Sequence, residues 1–239
     1  MKVIGLIGGM SCESTAHYYK RLNDRVRAQL GGLHSAEILM WSVDFAPIAQ
    51  MQDDNRWQEA GAYLAGIGRR LEQAGAEMLV LATNTMHKVA DTIEASTSVP
   101  LLHIADATAE KIRAVGKRKP AILATRFTME QEFYTGRLRE KYGLDVVVPD
   151  ETDRALVHQI IYDELCVGRV VEASRQAFVD VAQRLANRGA DSLILGCTEV
   201  GMLLDESNAP LPIFDTALIH ADAAVDFALG LTSTAQAAE

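Results

Sequence analysis

The chain has 239 residues, 49% of them apolar and 23% charged, the balance of a folded globular protein and not of a disordered or fibrous one. That length gives room for one large domain or two of ordinary size, each able to bury its own core. A formal net charge of -9 excludes general affinity for nucleic acid or anionic membrane, which would repel the protein at long range, and it obliges any anionic ligand to find local positive potential.

The chain opens Met1-Lys2-Val3-Ile4-Gly5-Leu6-Ile7-Gly8-Gly9, an apolar stretch too short and too glycine-rich for a secretory signal. No later run approaches a membrane span, so a cytoplasmic protein is expected. Val3–Ile7 is the first predicted strand. Gly8-Gly9-Met10-Ser11 follows it but fits neither G-x-G-x-x-G nor G-x-x-x-x-G-K-[ST], which argues against a dinucleotide or ATP site. These glycines are read instead as letting backbone approach a small ligand. Further predicted strands are Glu37–Val43, Met78–Leu81, Leu101–Ile104, Ala121–Ala124, Asp145–Val148, Ser192–Leu195 and Leu211–Phe214, separated by segments of helical period. Strands alternating with helices make an α/β protein with mainly parallel sheets, because parallel neighbours need crossovers.

The chain also repeats itself. Arg70–Thr85 overlays Arg184–Glu199 at a constant offset of 114 residues, each copy reading as helix, glycine cap, buried strand and polar turn. Weaker echoes relate Ile4–Ser11 to Ala121–Thr128 and Val99-Pro100-Leu101 to Ala209-Pro210-Leu211. The economical reading is two lobes related by a pseudo-twofold axis, each with a four-stranded sheet flanked by helices: residues 1–97 plus 208–239, and residues 98–207. Ligands of such sheets sit beyond the carboxyl ends of the strands. With the lobes facing each other across a cleft, Thr83 and Cys197 would be equivalent positions on opposite walls.

Cys197 follows a buried strand, and a helix starting after it would point N–H groups at the sulfur and lower its pKa. The bland alternative is a buried structural thiol; the duplicated motif favours the reactive one. Thr83-Asn84-Thr85 can cap a helix and can also hold a carboxylate at a helix N-terminus, and Thr198 offers the same groups in the second copy. Cys12 and Cys166 read as structural, the first less firmly because it adjoins the glycine turn. His17, His87, His103 and His158 are scattered without the spacing of a zinc site, and His87 reads as a surface or packing residue. Arg137–Lys141 looks like a solvated helix face.

Several marks occur in order: Gly8-Gly9-Met10-Ser11 with Glu13-Ser14-Thr15 and Tyr18-Tyr19, Val43-Asp44-Phe45, Asn84-Thr85-Met86-His87, Thr125 with Thr128-Met129, and Gly196-Cys197-Thr198-Glu199. On these the chain resembles the aspartate/glutamate racemase superfamily over nearly its full length. The resemblance implies flavodoxin-like lobes, a homodimer, no pyridoxal phosphate, no other cofactor and no metal. It further implies an isomerase acting on aspartate or glutamate, with two bases on opposite faces of the α-carbon. Members typically carry a cysteine in both repeats. Here the first position is Thr83 and the second Cys197, as in a bacterial branch of the superfamily that also has threonine there. Asn84, Thr85, Thr125, Thr128 and Thr198 would hold the substrate carboxylates, with Met10, Gln52, Met129 and Glu199 lining the cleft. Unequal bases imply a racemase faster from one enantiomer. Two alternatives stand beside it: an enzyme resembling arylmalonate decarboxylases, which keep only the second cysteine, and an inactive amino-acid-binding homologue.

Overall fold

Continuous apolar runs bounded by helices suit parallel sheets buried on both faces. The computed structural model, which describes residues 1–231, has this form in two compact units, Met1–His103 with His220 onward, and Ile104–Ile219. The first carries β1 (Ile4–Gly8), α1 (Cys12–Leu30), β2 (Ile38–Ser42), α2 (Phe45–Asp53), α3 (Trp57–Gln73), β3 (Met78–Leu81), a 3-10 turn (Thr85–Val89), α4 (Ala90–Glu94) and β4 (Leu101–Leu102). The second carries α5 (Ile104–Ala114), β5 (Pro120–Leu123), α6 (Arg126–Glu130), α7 (Glu132–Tyr142), α8 (Glu151–Asp163), a 3-10 turn (Leu165–Val167), α9 (Glu172–Asn187), β6 (Ser192–Leu195), a 3-10 turn (Val200–Met202) and β7 (Ile213–Asp215). α10 (Thr216–Ala228) starts in the second unit and ends in the first.

Every strand pairing is parallel, in the orders β2-β1-β3-β4 and β5-β6-β7. Four strands per sheet were expected, and only the first sheet has them. Asp145–Val148 forms a single bridge, Val147 to Ala121, with the Val147 N–H donating to Pro120 at 2.9 Å and the Ile122 N–H donating to Val147 at 3.1 Å. Pro149 follows at once and the chain turns into Asp150, the N-cap of α8, so no ladder can extend. The segment still lies beside β5 as β2 lies beside β1. The units divide at 103/104 and 219/220, not at the expected 97/98 and 207/208. β4 is hydrogen-bonded to β3 and β7 to β6, which holds the last strand of each sheet with its own unit.

The duplication read from the sequence is repeated bond for bond. After α3 the Gly75 N–H donates to Glu72 at 2.9 Å and the Ala76 N–H to Leu71 at 2.9 Å; after α9 the Gly189 N–H donates to Ala186 at 2.9 Å and the Ala190 N–H to Leu185 at 3.2 Å. Both glycines have positive φ, 104° and 86°, which a side chain would strain. The Glu77 carboxylate accepts from the Val3 N–H, and the Asp191 carboxylate from the N–H groups of Arg118 and Lys119, so an acidic residue ties the starts of neighbouring strands in each unit.

α3 buries Trp57, Ala60, Gly61, Leu64, Ala65, Ile67, Gly68 and Leu71, and α9 buries Ser174, Phe178, Val181, Ala182 and Leu185, the spacing of one helical face. Each large apolar side chain buried this way contributes roughly 1.5–3 kcal/mol. α10 is fastened to α1 by Arg21, whose guanidinium donates to both carboxylate oxygens of Asp222 at 2.7 and 2.6 Å, and by Arg25 with Asp226 at 3.0 Å. No helix among the described residues is long and apolar enough to cross a membrane.

Candidate active site

The carboxyl ends of the strands carry most of the predicted site residues in each unit, with Gln52 on α2. In the first, Ile7 is paired with Leu81, so the loop containing Met10 and the Thr83-Asn84-Thr85 turn leave adjacent strands at one level. The Gly9 N–H donates to the Thr15 hydroxyl oxygen at 2.8 Å, and that hydroxyl donates to the Ser11 carbonyl at 2.7 Å. A Cβ on Gly8 would lie 2.5 Å from the Thr15 methyl, and one on Gly9, at φ +92°, 2.3 Å from the Val43 carbonyl oxygen. The glycines therefore admit neighbouring parts of the protein, where the sequence had suggested a ligand. Met10 is buried beside them.

Thr83, Asn84 and Thr85 are all buried. Asn84 precedes a five-residue 3-10 turn and its side chain makes no cap bond to it, so the capping role expected of this turn is not taken up. The Thr83 N–H donates to the Leu81 carbonyl at 2.8 Å, and the Nδ1–H of His87 donates to the Thr83 carbonyl at 2.7 Å. On α2, buried Gln52 donates through Nε2 to the Met86 sulfur at 3.0 Å.

His87 is buried and not a surface residue. Its ring lies 4.5 Å from that of His103 and 5.8 Å from that of His220. His220 Nε2 is 2.8 Å from the Leu102 carbonyl, which can only accept, so Nε2 carries the proton and Nδ1 accepts from the Tyr18 hydroxyl at 2.9 Å. Burial lowers the pKa of His220 to about 4. Burial, with His103 and His220 as neighbours, holds His87 well below the usual histidine range. Sequence spacing could not reveal this cluster, because four elements bring it together. Only His87, four residues after Thr83, gave a local signal.

In the second unit Leu123 is paired with Leu195, so Thr125 and Cys197 each stand two residues past the ends of adjacent strands, the place Thr83 takes after β3. The hydroxyls of Thr125 and Thr128 are 3.3 Å apart, and Thr128 and Met129 are buried in α6. The half-buried Cys197 thiol donates to Glu199 Oε2 at 2.9 Å, and the Thr198 hydroxyl donates to the same oxygen at 2.9 Å. Glu199 is itself buried.

This geometry reverses the expected electrostatics of the thiol. The segment after Cys197 is a three-residue 3-10 turn and not a helix start. Burial, the Glu199 carboxylate and the Cys166 thiol raise the Cys197 pKa well above the ordinary value, where a lowered one was predicted. Cys166 is half-buried and also raised, by burial and then by Glu199, whereas Cys12 is exposed on α1 and does not fill the core as its structural reading required. No group of three or more His, Cys, Asp or Glu among the described residues is arranged to hold a metal ion.

Comparison with known proteins places this arrangement in a family. The model of Asp/Glu/Hydantoin racemase matches residues 7–224. A solved structure from Yersinia pestis, proposed to be an Asp/Glu racemase, is 54% identical and superposes with a TM-score of 0.89, covering 96% of this chain and 100% of its own. The structure of an aspartate racemase homologue from Pyrococcus horikoshii OT3 is 33% identical, with a TM-score of 0.82 over 96% of this chain and 100% of its own. The broad specificity amino-acid racemase RacX of Bacillus subtilis (strain 168) is 24% identical over 234 residues, 97% of this chain and 100% of that protein. A match of this extent, over two units built from one repeated pattern of strands, shows that the chain belongs to the Asp/Glu/Hydantoin racemase family.

Proposed function

We propose that this protein racemises an acidic amino acid, aspartate or glutamate, without pyridoxal phosphate or metal. In this reading Cys197 exchanges the α-proton on one face and Thr83 serves the other. The observation that carries it is the Cys197 thiol donating to the buried Glu199 carboxylate at 2.9 Å, a sulfur with its own proton acceptor at the carboxyl end of β6. Glu199 takes the thiol proton, the thiolate removes the proton from Cα, and the electron pair passes into the carboxylate as an enediolate. Thr83, directly or through a water, returns a proton to the opposite face and is replenished from solvent, while Glu199 releases to solvent the proton it took, which restores the starting state. Asn84, Thr85, Thr125, Thr128 and Thr198 supply the hydroxyl and amide groups that bind the carboxylates and stabilise the enediolate oxygens, with Met10, Gln52 and Met129 around them. We further infer a homodimer working in the cytoplasm.

A hydroxyl is a much weaker acid than a thiol, so the two faces are unequal and turnover is faster from one enantiomer. The equilibrium between mirror images remains even, so this asymmetry is purely kinetic. The test is α-deuterium incorporation from D2O into L- and D-aspartate and L- and D-glutamate by the native protein and by Cys197→Ala. The names of the relatives recommend other amino acids as further substrates. Incorporation that Cys197→Ala abolishes is expected; saturable binding without exchange would leave an inactive amino-acid-binding homologue.

A second reading gains support from the raised pKa of Cys197, which keeps a proton on the sulfur as a donor to a carbanion requires. A decarboxylase of arylmalonate type needs such a donor on one face only. Release of carbon dioxide from phenylmalonate, with no exchange into amino acids, would select it.

A further inference from the structure

Four buried groups in the first unit, Tyr18, His87, His103 and His220, take no part in the reaction above, yet His87 bonds the peptide of the residue that serves its second face, and the other three are linked to His87 through ring contacts and a hydrogen bond. We propose that His87 is a positioning residue for Thr83, its Nδ1–H clamping the Thr83 carbonyl so that the Cα–Cβ bond carrying the hydroxyl keeps one direction. The inference rests on the reading of Thr83 as the partner of Cys197.

Thr83 stands just past the end of β3, where the ladder gives its carbonyl no strand to pair with. His87, one turn further on, supplies the donor at 2.7 Å, while the Thr83 N–H is bonded back to Leu81 at 2.8 Å. Both peptide groups of Thr83 are thereby tied, which fixes its φ and ψ and so the direction of its Cα–Cβ bond. The clamp is itself braced. The His103 ring packs against His87 at 4.5 Å, and His220, on α10, stands 5.8 Å away, held between the Leu102 carbonyl and the Tyr18 hydroxyl. A histidine placed only to fill the core would not need its donor aimed at the one peptide that carries the site hydroxyl. A carbonyl oxygen can only accept, so the bond to Thr83 needs the His87 proton on Nδ1.

Asparagine can place an N–H near the position of Nδ1; glutamine, one methylene longer, cannot, and leucine has no donor. In His87→Leu and His87→Gln we expect racemisation to fall about tenfold or more, as misplacement of a reacting group does, while deuterium exchange with retention at the Cys197 face persists and KM changes little. The ratio of exchange to racemisation rises accordingly. His87→Asn restores that ratio to within about threefold of the native value. A parallel loss of exchange and racemisation in His87→Gln, or no change in either, would overturn the proposal. Threonine-methyl NMR reads the same clamp without any substrate. The Thr83 methyl should lose order in His87→Gln and keep it in His87→Asn; unchanged order in His87→Gln would refute the clamp whether or not the protein proves to be a racemase. A native protein that exchanges no amino acid, with the Thr83 methyl responding as expected, would instead count against the racemase reading alone.

Discussion

The buried histidines make the first unit acid-sensitive, and the size of the effect follows from His220. Folding lowers its pKa from an ordinary 6.5 to about 4 by burying the ring. The folded state therefore keeps the ring neutral where the unfolded chain protonates it, so stability falls with pH from 6.5 down to about 4 and levels off below. A gap of about 2.5 pH units at 1.36 kcal/mol each gives about 3 kcal/mol in full, of which about 2 kcal/mol is lost between pH 7 and pH 4.5. The perturbation is His220→Gln, which can keep a donor toward the Leu102 carbonyl but cannot be protonated. Both tryptophans, Trp41 and Trp57, lie in the first unit, so urea unfolding followed by tryptophan fluorescence reports that unit. The native protein should lose about 2 kcal/mol more than His220→Gln on going from pH 7 to pH 4.5. Parallel losses in the two proteins would refute the assignment of the acid sensitivity to this ring.

Two further outcomes follow from the site. Glu199→Gln removes the charge that, after burial, does most to raise the Cys197 thiol, so its thiolate absorbance should appear at lower pH in a Cys12→Ser, Cys166→Ser background. Turnover should nonetheless fall about a hundredfold, the usual worth of a positioned base, and a Glu199→Gln enzyme as fast as native would end Glu199's role as proton acceptor. Gly9→Ala forces a methyl to within 2.3 Å of the Val43 carbonyl oxygen at φ +92°. The cost should be about 3 kcal/mol or more, read as a melting temperature lower by roughly 10 °C, and an unchanged melting curve would show that the turn can yield.

The α/β fold was legible because each strand buried on both faces is an unbroken apolar run, and because Arg70–Thr85 and Arg184–Glu199 carry the same helix, glycine and strand. The second sheet falls short of four strands because Asp145–Val148 has strand composition, but Pro149 and the N-cap Asp150 cut its pairing short. The unit boundaries moved because the last strand of each sheet follows a surface segment whose composition resembles a linker, and only strand pairing shows which sheet claims it. At the site, the residue types were legible and their electrostatics were not. Glu199 was seen as a lining group two residues from Cys197, and the fold of that turn decides that the carboxylate meets the sulfur. The histidines at positions 87, 103 and 220 share no period and meet only once β4 and α10 are in place.

The raised thiol is a burden for a base and an asset for the reaction only if Glu199 is counted with it. Each unit by which a thiol pKa rises cuts the spontaneous thiolate fraction tenfold. The intrinsic basicity of the thiolate toward a carbon acid grows by less than that, because proton transfer follows a fractional Brønsted slope. Burial alone would thus make Cys197 slower. A carboxylate 2.9 Å from the sulfur changes the comparison, because the proton moves within a hydrogen bond that already exists and the negative charge is relocated instead of created. The same arrangement favours the protonated resting sulfur, so on the proposed mechanism one enantiomer would meet a donor in place and the other only after the proton has crossed to Glu199. In the proposed mechanism that second cost adds to the inequality between thiol and hydroxyl, and the kinetic asymmetry would then lie in the turn Cys197-Thr198-Glu199 as much as at Thr83.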